Sequence, residues 1–310
     1  MPRWTVHLEG GPRRVNHAAV AVGHRVFSFG GYCSGEDYET LRKIDVHVFN
    51  AVSLRWRKLH PASCSLSMVP YMRYGHTAVL IDDVIYIWGG RNDTDGACNK
   101  LYTFHTGTEQ WATPLVSGQI PGARDGHSAC VLERTMYIFG GYEQQVRPVH
   151  YVLFCAMKRL YIHHKPIIYS FDILTSNPNK CTVSTHMARE LQAKCLTALG
   201  TELGRWQRVD VQGKGPCARR RQCCCIVGDK ILLFGGTSPS QDQDLQDEFY
   251  LMDHSDLYIL DFSPSLKTLC KLAVLHYHLD QSCLPHDIRW ELSAMTTNSN
   301  ISRPLLSSHG

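Results

Sequence analysis

The chain has 310 residues, 44% of them hydrophobic, enough to bury the core of one large domain or two ordinary ones. A formal net charge of +4, with basic residues scattered along the chain, leaves no footprint for nucleic acid or an anionic membrane. The 13 cysteines are unevenly spaced and contain no CxxC pair, so they read as small apolar fillers in a reducing compartment and not as a zinc or redox motif.

The N-terminus, MPRWTVHLEGG, has no apolar stretch of signal-peptide length. The most apolar segment, VHYVLFCAMKRLYIHHK at 149–165, is broken by Lys158 and Arg159 and is too short to cross a bilayer. The expectation is an intracellular, cytoplasmic protein, with the nucleus left open.

In chain order, residues 4–8 read as a lone strand. Arg14-x-x-His17 then opens a unit that recurs. An apolar strand, AAVAV, turns at Gly23, returns as VFSF and ends at Gly30-Gly31. The same phrase ends at Gly89-Gly90, Gly140-Gly141 and Gly235-Gly236, and a fixed step back from each pair meets Arg73, Arg124 or Arg219 and then His76, His127 or Gln222. A third strand follows in DVHVFN, KLYTF and DLYILDF, and Trp56 and Trp111 open a fourth. Four short strands per unit, rich in β-branched and aromatic residues, describe one blade of a propeller. The last unit has no Trp after Phe262, so the strand at 4–8 is expected to complete it.

Residues 146–204 lack the signature. They carry a basic apolar stretch, a polar linker and a run at 187–203 whose Met187, Leu191, Cys195 and Leu199 fall on one face of a predicted helix. Either unrelated sequence replaces the middle blades, which the abrupt return of the signature at Trp206 favours, or a degenerate blade lies hidden there. The remaining assignments are repeats one to three over 1–145, the last repeat over 205–262, and a tail over 263–310. RRRQ at 219–222 falls inside the motif and reads as structural.

The aligned Arg, His, Trp and Gly-Gly positions resemble the kelch repeat over 1–145 and 205–262. The resemblance implies an all-β, kelch-type β-propeller with four recognisable blades and a short C-terminal helical tail. No catalytic constellation accompanies it. His17, His76 and His127 sit at equivalent turns of separate blades, where bonds to local backbone explain them better than a metal does. No phosphate loop, HExxH or nucleophile elbow is present. No metal, no cofactor and no catalysis are expected, and the loops around one mouth of the channel become the candidate binding surface.

In the tail, Ser263-Pro264 reads as a helix start. Leu266, Cys270 and Val274 follow at i, i+4 and i+8, on one face. Ser265-Leu266-x-x-x-Cys270-x-x-x-Val274 resembles the BC box that docks receptors on elongins B and C. Leu284-Pro285-x-x-Ile288 resembles the cullin box in its cullin-2 form. Together with the repeats, these motifs resemble the kelch-repeat substrate receptors of cullin-2 RING ubiquitin ligases. That resemblance implies elongin B/C and cullin-2 as partners, target proteins with a C-terminal glycine as substrates, and a pocket whose arginines and serine come from middle and later blades. A terminal carboxylate asks for a cation and aromatic walls. The residues after Gly-Gly, Tyr32, Arg91 and Tyr142, are the candidates here. The chain's own Gly310 raises self-capture of the tail. A kelch scaffold that recruits no ligase is the alternative reading.

Overall fold

The computed structural model describes residues 1–34, 41–60, 67–143, 196–200, 205–239 and 251–302. Strand β1 (Arg3–Leu8) opens the chain, and β2 (Ala18–Val22), β3 (Arg25–Phe29), β4 (Val46–Asn50) and β5 (Arg55–Leu59) form an antiparallel sheet in sequence order. The second sheet repeats it with β6 (Tyr74–Ile81), β7 (Val84–Asn92), β9 (Leu101–His105) and β10 (Gln110–Ala112), while β8 (Gly96–Ala97) pairs beside β7. Each first hairpin turns through a left-handed residue, Gly23 or Asp82, as its two-residue length requires.

The third unit shows β11 (Arg124–Asp125) paired with β14 (Tyr142–Glu143), and β12 (Ser128–Leu132) with β13 (Thr135–Phe139). Next come β15 (Leu196–Gly200) and β16 (Arg205–Val209), an antiparallel hairpin. The final sheet joins β17 (Cys223–Val227), β18 (Lys230–Phe234) and β21 (Leu257–Asp261), with β19 (Thr237–Pro239) paired to β20 (Leu251–Asp253). Its outer strand is β1, which runs antiparallel to β21 through a bulge between Trp4 and Val6. The end of the chain thus closes on its beginning.

The hairpin β15–β16 corrects the predicted helix. Leu196–Gly200 is strand, and Leu199 pairs with Trp206 just as Phe104 pairs with Trp111 in the second sheet. The hairpin therefore has the form of the third and fourth strands of a blade and runs across the 204/205 division. Met187, Leu191 and Cys195 lie outside the described residues.

The innermost strands stand side by side, β17 against β2, β2 against β6 and β6 against β12, so four units follow one another in an arc. Both faces of each inner sheet are therefore buried, which explains its near-continuous apolar runs. In the first sheet, Phe27, Phe29, Val46 and Val48 pack on Ile85, Ile87 and Phe104 of the second. Val26, Phe49 and Trp56, on the opposite face, pack on Phe234, Leu257 and Ile259 of the last. Met136 and Ile138 of the third unit close on Trp88 and Leu101.

The repeated motif supplies the bolts between blades. Arg73 and Arg124 donate to the carbonyls of Gly89 and Gly140 in their own units, at 3.1 and 3.0 Å. Arg219 makes the same bond to Gly235 and also pairs with Asp256, so the first arginine of RRRQ is indeed structural. Two of the histidines, His76 and His127, bond backward to the preceding blade instead of to local backbone, while the His17 ring packs on Phe234 of the last blade. Nε2 of His76 lies 3.1 Å from the Phe29 carbonyl, and Nε2 of His127 lies 2.8 Å from the Thr77 hydroxyl. Between Arg and His, a left-handed residue in each unit (Asn16, Gly75, Gly126, Arg221) forms a belt: Asn16 N–H donates to Arg221, Gly75 to Asn16, and Gly126 to Gly75. Neighbouring blades are thereby stitched through backbone groups, at positions whose positive φ favours Gly or Asn.

The first tail helix begins two residues later than Ser263-Pro264 suggests. Helix α1 (Leu266–His276) is capped by Ser265, whose hydroxyl accepts the Thr268 N–H at 3.1 Å, while the Ser263 N–H is taken by Asp261. Replacing Ser265 with alanine is expected to cost about 1 kcal/mol of local helix stability. Faster amide exchange in the first turn of α1, with the blades unchanged, is the measurement that checks it. Helix α2 (His286–Thr296) buries Leu292, Ala294 and Met295 and lies against β1. Arg55 donates to the carbonyls of Ala294 and Thr297, and Ser299 and Ile301 bond to Glu9 and Gly10, fixing the tail to the ring.

Candidate functional site

Both candidate surfaces follow from this architecture. The first is the rim where second strands end. The residue after each Gly-Gly pairs with the entry to the same blade: Tyr32 with Val15, Arg91 with Tyr74, Tyr142 with Asp125, and Thr237 with Arg220. Tyr32, Arg91 and Tyr142 therefore occupy one position on three consecutive blades. Tyr32 stands edge-on to Tyr74 with ring centroids 6.0 Å apart, so the structure brings Tyr32 and Arg91 together around a second tyrosine. Tyr142, 69% exposed, stands on the next blade beside Asp125.

The rim is less purely cationic than a carboxylate pocket would suggest. Tyr74 donates its hydroxyl to Asp93 at 2.7 Å, and burial together with that carboxylate pushes the phenol up to about 12. Asp125 flanks the same cluster. Sequence reasoning passed over Tyr74, Asp93 and Asp125. Tyr74 could have been found, because it occupies the fixed position after the repeated Arg73. Arg220 and Arg221 add exposed cations at the equivalent end of the last blade. Among the described residues, no cluster of three or more His, Cys, Asp or Glu could hold a metal.

The second surface is helix α1. A helix that served only to pack on the ring would hide its apolar stripe, but none of its residues is fully buried. Leu272 and Leu275 lean on the core beside Ala294 and Met295. The opposite side leaves Leu266 77% exposed and Leu269 and Cys270 exposed as well, with Val274 half-buried. Lys267 and Lys271 both donate to Glu291, holding its carboxyl below the usual range and tying α1 to α2. In the connection, Leu284 is half-buried, Pro285 occupies the cap position of α2 and Ile288 is half-buried on its first turn. The cullin-box-like residues thus stand at the start of the second helix, next to the first. Gly310 lies outside the described residues. Also among the described residues, no helix is long and apolar enough to cross a membrane.

Antiparallel four-stranded blades, bolted by Arg-x-x-His and Gly-Gly and closed by the N-terminal strand, define the kelch-propeller class. A family model described as the KLHDC2/KLHL20/DRC7 Kelch-repeats domain matches residues 16–236, and the chain belongs to the kelch-repeat family. It is 54% identical to Kelch domain-containing protein 3 of Bos taurus and of Homo sapiens, over 382 aligned positions that cover 100% of each chain. It is 25% identical to Kelch domain-containing protein 2 of Rattus norvegicus over 238 residues, 72% of this chain and 50% of that one. The 382 positions exceed the 310 residues of this chain by 72, so that many positions of the longer alignment have no residue here.

Proposed function

We propose that this chain is the substrate-recognition subunit of a cullin-2 RING ubiquitin ligase. Its α1 face would dock elongins B and C, the start of α2 would meet cullin-2, and its rim would hold target proteins by a C-terminal glycine. The single observation that carries the reading is the exposed stripe of α1. Leu266, Leu269 and Cys270 are solvent-facing on a helix that is capped, braced by Lys267–Glu291–Lys271 and fixed to the ring through α2, which is the preorganisation a groove-binding helix needs. The chain would catalyse nothing itself. On the rim, Arg91 is the proposed carboxylate partner and Tyr32 and Tyr142 the proposed walls, while Asp93 and Asp125 would disfavour a second acidic group nearby.

The test is co-expression with elongins B and C followed by size-exclusion chromatography, with Leu266→Ala/Cys270→Ser as control. Both positions are exposed, so the double variant should fold as the parent does. A stoichiometric complex is expected for the parent, with loss of about 10-fold or more in affinity for the variant, the truncation of two helix-in-groove anchors. A parent that stays soluble and elutes alone would leave the scaffold reading in place.

A further inference from the structure

The last blade carries a thiol where the other blades have none. The position two residues before the repeated arginine is Pro12, Tyr71, Gly122 and then Cys217. Arg219 holds the Gly235 carbonyl and makes two bonds to Asp256, at 2.5 and 3.0 Å, so its guanidinium is fixed in place. From there Nη2 donates to the Cys217 sulfur at 3.2 Å. Nε2 of His254 lies 3.6 Å from the same sulfur and 2.9 Å from the Ser238 hydroxyl. Cys217 itself is exposed, whereas His254 is buried. A sulfur open to solvent, with a permanently charged donor and an imidazole in contact, has the surroundings of a reactive cysteine and not of a packing residue.

We infer that Cys217 is a peroxide-reactive thiol, a site of reversible oxidation to sulfenic acid. In the reaction, Sγ attacks one oxygen of hydrogen peroxide; the S–O bond forms as the O–O bond breaks. Sulfur loses two electrons and the peroxide gains them. The thiol proton passes to Nε2 of His254 and then to the departing hydroxide, which leaves as water. Nη2 of Arg219, already donating to this sulfur, faces the reacting atom. Burial, and secondly Arg219, hold His254 below its ordinary pKa of 6.5, so the imidazole is neutral at neutral pH and holds the proton only in passing. Burial instead pushes the Cys223 and Cys225 thiols up, which keeps those neighbours unreactive. The oxidised sulfur would sit against Arg219 and His254 in the last blade.

Cys270 and Cys283 are exposed on the tail and serve as internal references. The full chain is treated with limiting hydrogen peroxide, sulfenic acid is trapped with dimedone, and each cysteine is quantified by peptide mass spectrometry. Cys217 is expected to label about tenfold faster than Cys270 or Cys283. His254→Gln is expected to slow Cys217 alone and leave the tail cysteines at their parent rate. The ordering in the unaltered chain decides the matter without any variant: labelling of Cys217 no faster than the tail cysteines overturns the inference. Equal rates for parent and His254→Gln, with Cys223 and Cys225 still protected, remove His254 from it.

Discussion

Gly89→Ala is expected to cost roughly 3–5 kcal/mol, whereas Gly140→Ala should cost only about 1–2 kcal/mol, although each glycine opens the Gly-Gly pair of its own repeat. Both have φ of +70°, so alanine meets the same backbone strain at each. The difference lies across the blade boundary. A Cβ at Gly89 would stand 2.5 Å from the His127 ring and 2.9 Å from the Arg124 carbonyl of the following unit. One at Gly30 would meet the Arg73 carbonyl at 2.7 Å, and one at Gly235 the Arg14 carbonyl at 2.6 Å. At Gly140 nothing among the described residues lies within 4 Å. The first glycine of the other three pairs is therefore a close-approach residue for the next blade's Arg-x-x-His, and among the described residues the third unit has no such neighbour. Urea denaturation of the two variants side by side reads the difference. Equal costs would mean that another blade presses on Gly140 in solution and that the arc continues past the third unit.

The same boundary separates what sequence could and could not reveal. Period, blade order and the pairing of the N-terminal strand were legible because they rest on residues with one physical reason to be there: Gly-Gly for close approach, Trp111 for the outer strand, an unpartnered strand at 4–8. The partner of each histidine was not legible, because His76 and His127 bond across blades to Phe29 and Thr77, a contact that no spacing within a unit encodes. The strand at Leu196–Gly200 was mistaken for helix because Leu and Ala carry high helix propensity, and only pairing with Arg205–Val209 decides between the two. On the rim, Arg91 and Tyr32 could be named from their place after Gly-Gly. The carboxylate of Asp93 could not, since a loop residue carries no period, whereas Asp125 follows Arg124 on β11 as Tyr74 follows Arg73 and was open to the same reasoning. The motif on α1 was readable in the letters, but its exposure, which gives it meaning, depends on how α2 seats against β1.

Stability is expected to fall by about 4 kcal/mol as pH drops from 7 to 5, on the order of 10 °C in Tm, through two histidines with no part in binding. His17 and His76 are buried between blades, and burial, reinforced by Arg14 and Arg73 respectively, lowers their pKa from 6.5 to about 3. In the unfolded chain the same imidazoles take up protons below about 6.5. Between these limits the unfolded state binds more protons, so stability rises with pH; each histidine forfeits about 2 kcal/mol by pH 5, and the loss is complete near pH 3. Asp45 acts in a lower window. Its carboxyl, although burial opposes this, is held below 3.8 by Arg14 and His47, so its contribution is present above that value and disappears only as pH falls beneath it. The last blade supplies the control, because Gln222 fills the histidine position there, seated against Gly236 much as His76 is seated against Gly90. His76→Gln should therefore fold at pH 7.5 and lose about half of the stability change between pH 7 and 5. A parent protein whose Tm is flat over that range would show that its histidines are not neutral bolts, and the Arg-x-x-His motif would need another physical reason.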